Sequence, residues 1–212
     1  MWRLVRLGWR SATTTLERWG EQVVIGSEFG EVLDAARHGA EWAIAVLWRD
    51  MHPPLVRYLR GMDPSGAEDV ESETWLQAAR DLHHFDGTEV EFRAWLYTIA
   101  RHRLIDAHRR AARRPATPVP PEELPQTTAA EDPADAALER FDTDAALALL
   151  RRLPPDQAEV ILLRVLGGLD VDRVAVIMGK RPGTVRVLQH RGLRRLAEQL
   201  DPSQLEKGRV TE

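Results

Sequence analysis

The stretch that most constrains this chain is VDRVAVIMGKRPGTVRVLQHRGLRRLAEQL, residues 171–200. Its first part is short and apolar on one side, with Val171, Val174, Ala175 and Met178 at helical spacing. Gly179 interrupts that period. Pro182 then opens a second helix, a position that suits proline because its missing N–H would be unpaired there. In the second helix Val185, Leu188 and Leu193 form the expected apolar stripe, and Arg186, Gln189, His190, Arg191, Arg194 and Arg195 fill the rest. Small Ala175 permits close helix approach, Gly179 makes the turn, and Val185 anchors the second helix on the first. This is the plan of a helix-turn-helix. A helical hairpin with a solvated arginine face is the alternative; the five arginines from Arg181 to Arg195, with no acid among them, weigh against it.

A formal net charge of -4 over 212 residues looks wrong for a chain that meets nucleic acid, but the distribution matters more than the sum. Asp63 to Glu91 holds nine acids and one base, Arg80; Arg93 to Arg114 holds seven arginines and one acid, Asp106. Residues 115–137 carry five acids and no base, and the last basic block is the second helix above. Alternating blocks imply separate surfaces: acidic ones for a basic protein, arginine ones for phosphate. The absence of cysteine excludes disulfides and thiolate metal sites. No apolar run approaches the roughly 20 residues that span a bilayer, so no membrane insertion is expected.

The rest of the chain reads as helix and linker. Residues 1–27 are an extension with Trp2, Leu4, Val5, Trp9, Leu16 and Trp19 on a loose apolar face among Arg3, Arg6, Arg10 and Arg18. From about Glu28 to Gly61 the pattern is helical: Phe29, Val32, Leu33 and Ala36 make one stripe, and Trp42, Ala45, Val46 and Leu47 another. Pro53-Pro54 can start or kink a helix, and sits in a helix interior only at a cost. A helix over Ala67 to His84 buries Val70, Trp75, Ala78 and Leu82, and a long one over Val90 to Arg113 buries Phe92, Trp95, Leu96, Ile99 and Leu104. Residues 115–137, with six prolines, read as a flexible linker, residues 138–200 as a second helical unit ending in the helix-turn-helix, and residues 201–212 as a tail. The expected fold is all-α: two small helical domains, 28–114 and 138–200, joined by that linker.

Three stretches side by side carry a family resemblance: the acidic AEDVESETWLQAARDL, then FRAWLYTIARHRLIDAHRR, then LRRLPPDQAEVILLRVLGG leading into the helix-turn-helix with its GTVR. Over Glu28 to Leu200 the chain resembles the extracytoplasmic-function (group 4) sigma factors of the sigma-70 family of bacterial RNA polymerase. The resemblance implies that the first unit is region 2, which binds core RNA polymerase and reads and melts the promoter near -10, and that the last is region 4, which reads the -35 element. It puts Glu68, Asp69, Glu71 and Glu73 against the polymerase, with Ser72 where the family has glutamine. At the -10 element it implies Tyr97 as a base-stacking residue lying off the apolar stripe. Arg101, Arg103, Arg109, Arg110 and Arg113 would hold phosphates. His102 stands where the family commonly has asparagine in a base-capturing pocket, so an altered -10 preference is expected. For the -35 element it implies Arg181, Thr184, Arg186, Gln189, His190, Arg191 and Arg194, with those early in the helix reaching base edges and Arg194 and Arg195 touching phosphate. The family often has Lys-Ser-Arg where this chain has Arg186-Val187-Leu188.

The implied partners are core RNA polymerase, promoter DNA and an anti-sigma factor, in the cytoplasm. No cofactor or metal is expected: His83, His84, His102 and His108 are scattered and lack carboxylates at ligand spacing, while His102, Asp106 and Arg109 read as a set of side chains orienting one another along one helix face. No nucleophile motif or phosphate loop is present, so the chain is not expected to be an enzyme. The competing reading is a two-domain helix-turn-helix transcriptional regulator that binds duplex DNA unaided.

Overall fold

All regular structure among the described residues, 25–113 and 143–200 of this computed structural model, is helical. The expected linker, the tail and most of the N-terminal extension lie outside the described residues. Helix α1, Phe29–Arg37, buries Phe29, Val32, Leu33 and Ala36, the spacing of one helical face. Helix α2 is Glu41–Met62, α3 is Ala67–Asp81 and α4 is Glu89–Arg113. The second bundle comprises α5 over residues 143–150, α6 at Pro155–Val165, α7 at Val171–Met178 and α8 at Pro182–Leu200.

Helix α2 departs from the sequence expectation twice. It runs unbroken through Pro53 and Pro54. The prolines leave the carbonyls of Arg49 and Asp50 without their helical donors, and an interior proline costs about 3 kcal/mol or more. Met51 on one side of the pair and Leu55, Tyr58 and Leu59 on the other are buried, and each such side chain contributes about 1.5–3 kcal/mol, which offsets the loss. The inward stripe is also rotated: Ala43, Leu47 and Met51 face the core, whereas Trp42 is 58% exposed and Ala45 is exposed.

The turns follow their side-chain chemistry. Asp63 Oδ1 accepts hydrogen bonds from the Ser65 amide (3.1 Å) and hydroxyl (2.8 Å), closing the turn into α3. Thr88 and Glu91 form a capping box at the start of α4: the Thr88 amide donates to Glu91 Oε2 at 2.7 Å, and the Glu91 amide to Thr88 Oγ1 at 3.4 Å. Asp170 caps α7 by accepting from the Arg173 amide at 2.8 Å. Gly179, at φ 63°, ends α7 left-handed, so the Lys180 amide reaches the Ala175 carbonyl at 2.9 Å.

The two bundles share one continuous core. Its buried side chains run from Phe29 through Leu55, Leu96 and Leu104 into Leu147, Leu162, Val174 and Val185. Gly61, near the end of α2, is the point of closest approach: a Cβ there would lie 2.8 Å from Leu162 Cδ1 and 3.3 Å from Leu147 Cδ2. The two helical domains expected from the sequence are present, and they pack against each other. Helix α6 lies against α2, and α7 lies against α4.

Candidate nucleic-acid interface

Helix α8 packs on both α6 and α7, with Val185 fully buried, Leu196 buried and Leu188 partly buried beside the core. Leu193, expected in this stripe, is 48% exposed. Counting from Val185 at about 100° per residue, Leu196 returns to the buried direction and Leu193 lies some 80° off it. The opposite face presents the expected set: Arg181, Thr184, Arg186, His190, Arg191 and Arg194 are exposed and Gln189 is half-buried, with exposed Val187 between them. Arg181, Arg186 and Arg191 make no ion pair among the described residues. Arg194 reaches Glu198 at 3.2 Å, and Arg195 donates to Gln157 at 3.1 Å. The amino end of α8 adds its own partial positive charge to this arginine surface.

The arginines of α4 are arranged otherwise. Arg101 Nε donates to Glu159 Oε1 of α6 at 2.7 Å, and Arg103 Nε donates to Gln77 Oε1 of α3 at 2.9 Å. Arg110 grips Glu73 with Nη1 to Oε1 at 3.1 Å and Nη2 to Oε2 at 3.0 Å, and this carboxylate holds the Arg110 guanidinium above its ordinary range. Arg109 reaches Asp106 at 3.6 Å, and Arg113 and His102 are exposed. Between α3 and α4 lies an open groove of about 590 Å³ lined by Arg80, Arg103, Arg109, Arg110 and Arg113 together with Glu73, Asp106, Gln77 and Leu76. Within α4, Arg93 has a different place: it is buried, pairs with Glu89, and lies 3.6 Å from Asp50.

Tyr97 requires a correction. It is 1% exposed, packs edge-on against Tyr58 with ring centroids 5.2 Å apart, and its hydroxyl has no hydrogen-bond partner among the described residues; burial pushes that hydroxyl above its ordinary range. Helix α4 is covered by α2, α3 and the second bundle, so its buried arc is wider than a single stripe and takes in Tyr97. Phe92 and Trp95 are also packing residues, in an aromatic cluster with Phe29 and Phe85.

The four acids of α3 do not share one open face. Glu68 accepts from Arg60 at 3.2 Å, Glu71 faces His52 at 2.8 Å, and Glu73 holds Arg110. Asp69 is exposed, with exposed Ser72 close by on the same side. The structure also shows a cluster that the sequence did not single out. Glu159, 5% exposed, accepts from Arg101 and, at 3.1 Å, from the Tyr58 hydroxyl. The signal was present: Ala158, Val160, Ile161, Leu162 and Leu163 run all the way round α6, and a helix apolar on every side is buried on every side. Among the described residues no group of three His, Asp or Glu side chains is placed to hold a metal ion, and no helix is long and apolar enough to cross a membrane.

Comparisons with known proteins converge on these two bundles. The Sigma-70 region 2 profile matches residues 47–114, and the Sigma-70, region 4 profile matches residues 143–196. The chain is 34% identical over 193 residues to the ECF RNA polymerase sigma factor SigD of Mycobacterium tuberculosis, covering 88% of this chain and 90% of that one. It is 36% identical over 172 residues to the ECF RNA polymerase sigma factor BldN of Streptomyces coelicolor (80% and 65% covered), and 31% over 180 residues to the RNA polymerase sigma factor CarQ of Myxococcus xanthus (84% and 100%). Among solved structures it is similar in fold to CnrH in complex with the cytosolic domain of CnrY, with a TM-score of 0.55, 24% identity, and 80% and 95% of the two chains covered.

Proposed function

This chain belongs to the sigma-70 family, among the extracytoplasmic-function RNA polymerase sigma factors, and from that premise we propose how its surfaces divide the work. Region 2 docks on core RNA polymerase and engages the promoter near -10; region 4 reads the -35 element; the chain itself carries no catalysis and works in the cytoplasm, where the polymerase is. The observation that carries this reading is the exposed face of α8, where Arg181, Arg186 and Arg191 stand without carboxylate partners among the described residues. Arg181, just before α8, and Thr184, Arg186, Gln189 and His190, in its first turns, reach base edges, with arginine matched to guanine and glutamine to adenine. Arg191 and Arg194 hold phosphate, and Val187 offers an apolar contact to a thymine methyl.

In region 2, Arg103, Arg109, Arg110 and Arg113 line a groove suited to the DNA backbone, with Arg101 on the other side of the same helix. His102 offers one donor and one acceptor when neutral, unlike the carboxamide common in the family, and this supports an altered -10 preference. Asp69 and Glu73, with Glu68 and Glu71 to one side, are the polymerase contact; complementary charge there steers docking more than it adds affinity. Family membership brings the further proposal of an anti-sigma protein as inhibitory partner. The competing regulator reading is not favoured, because the match includes Sigma-70 region 2 over residues 47–114 and not the helix-turn-helix alone. The decisive experiment adds the purified chain to core RNA polymerase and a promoter library. Promoter-specific run-off transcripts are expected; tight binding to duplex DNA by the chain alone, with no transcripts, would overturn the reading.

A further inference from the structure

The first turns of α2 carry an apolar surface that neither bundle covers. Trp42 is 58% exposed, Ile44 42% and Trp48 44%, and Ala45 among them is exposed too. Residues three and four apart are neighbours on a helix. Trp42, Ala45 and Trp48 therefore form one row, and Ile44 joins it beside Trp48. The row ends at His52, whose ring stacks on Trp48 with centroids 4.3 Å apart and whose Nδ1 lies 2.8 Å from Glu71 of α3. Single exposed hydrophobic residues need no explanation, but a contiguous patch with two tryptophans and a polar rim marks a contact surface. Glu41 neighbours both Ile44 and Ala45. Like Glu28 and Glu31 at the start of α1, it is exposed and makes no ion pair among the described residues.

The chain itself supplies an occupant of matching chemistry. In the sequence Trp2, Val5 and Trp9 recur at i, i+3 and i+7, and Arg3, Arg6 and Arg10 repeat that spacing. On a helix these make two adjoining rows, one apolar and one cationic. Such a pair of rows complements a tryptophan row flanked by carboxylates, and no acid occurs before Glu17. Reach is sufficient. Ile25, the first described residue, is held at the start of α4, where Glu89 accepts from the Ile25 amide at 3.3 Å and from the Gly26 amide at 2.9 Å. Glu89 also pairs with Arg93, and Arg93 lies 3.6 Å from Asp50 of α2, two residues beyond Trp48. From Asp50 the patch is one helix diameter away, roughly 10 Å. A coil of the length of residues 11–24 spans about 20 Å. A segment tethered so closely meets the patch at an effective concentration on the order of millimolar.

We propose that the N-terminal segment Trp2–Arg10 docks on the exposed face of α2. Trp2, Val5 and Trp9 lie on Trp42, Ala45 and Trp48, and the arginines turn towards Glu41 and the acids at the start of α1. This docking is independent of the DNA and polymerase contacts proposed above.

The chain has no cysteine. Ser11→Cys with Arg49→Cys therefore gives a unique pair in the full chain for a flexible bismaleimide, placed at the edges of the segment and of the patch. The patch is only about 10 Å long, so either orientation of the segment is within range. Intramolecular cross-linking is expected to run about tenfold or more faster than for Ser11→Cys with Leu193→Cys, where the second thiol is exposed on the other bundle. Equal rates overturn the docking. A product of doubled mass that grows with protein concentration gives the patch to a second copy and overturns it too. Adding Trp2→Ser and Trp9→Ser, which leave the helical body untouched, should remove the advantage; an advantage that survives them overturns the docking. Adding Arg3→Glu, Arg6→Glu and Arg10→Glu should reduce it at low salt. Hydrogen exchange is followed in parallel on chains without cysteine. Amides of residues 45–52 should exchange faster in the Trp2→Ser, Trp9→Ser protein than in wild type. Identical exchange, with protection that appears only when core polymerase is added, gives the patch to the polymerase and overturns the docking.

Discussion

Two arginine surfaces of this molecule are built on opposite terms. On α8 the arginines at 181, 186 and 191 meet solvent with no carboxylate among the described residues to answer them, on a helix fixed by the left-handed turn at Gly179 and the cap at Asp170. On α4, Arg101, Arg103, Arg109 and Arg110 are each engaged by Glu159, Gln77, Asp106 and Glu73 respectively. On the reading proposed above, the first surface meets DNA as it stands, whereas the second exchanges its own acceptors for phosphate oxygens, so its net gain on binding is smaller and depends on what becomes of the released carboxylates. The same contrast applies to the acids of α3: Glu73 is engaged by Arg110, whereas Asp69 is exposed, so on the proposed reading only Glu73 has to exchange a partner to meet a polymerase arginine.

The largest expected effect tests whether the middle of α4 is core or contact. Tyr97→Ala should cost about 3–5 kcal/mol in urea-induced unfolding, and Tyr97→Phe should be close to neutral, because the hydroxyl it removes has no partner. Undiminished stability in the alanine variant, with lost -10 use, would return Tyr97 to the DNA surface. Next in size is Arg186→Ala on the open surface. It should lower discrimination at one base pair of a cognate -35 element by about 1–3 kcal/mol while core binding is unchanged; equal run-off from matched and mismatched promoters in both proteins would remove Arg186 from base readout.

A smaller effect concerns what holds the open surface in shape. The Arg173 amide, first among several hydrogen bonds, keeps the Asp170 carboxyl below the usual carboxylate range. Its cap is therefore fully present above about pH 4, the unfolded carboxylate range, and is lost as pH falls through the lower folded value. Asp170→Ala should cost about 1 kcal/mol at neutral pH, whereas Asp170→Asn should keep most of the cap and flatten that acid-side loss. Thermal melts at pH 3 and pH 7 measure both. The smallest effect is at the solvent-exposed pair of Glu73 and Arg110, which water and salt screen. Glu73→Gln should raise affinity for a -10 strand by about two- to fivefold and weaken core binding; reduced DNA binding would mean that the pair positions Arg110 instead of competing for it.

Much of this arrangement is legible in residue order. The turn at Gly179, the proline opening α8, the capping pair of Thr88 and Glu91, and the apolar spacing of α1, α3 and α4 are local, and local chemistry decides them. The errors are tertiary. Tyr97 lies off a single-face stripe, and only the second bundle together with α2 makes its surroundings apolar. Pro53 and Pro54 read as a break because their cost is local, while the burial that outweighs it lies in neighbouring residues facing another helix. The tie between Arg101 and Glu159 joins residues 58 positions apart in sequence, and no pattern within either helix marks them as partners; the all-round apolarity of α6 says only that something must cover it.

The close seat of Leu162 and Leu147 on Gly61 also makes the closed body sensitive to temperature. Parting the bundles exposes apolar surface and so carries a positive heat-capacity change, and apolar closure weakens on cooling. The desolvation penalty of the ion pair beside it falls as temperature rises, so that contact also favours closure in the warm. Both terms have the same sign: warming tightens the closed body over the physiological range and cooling eases it.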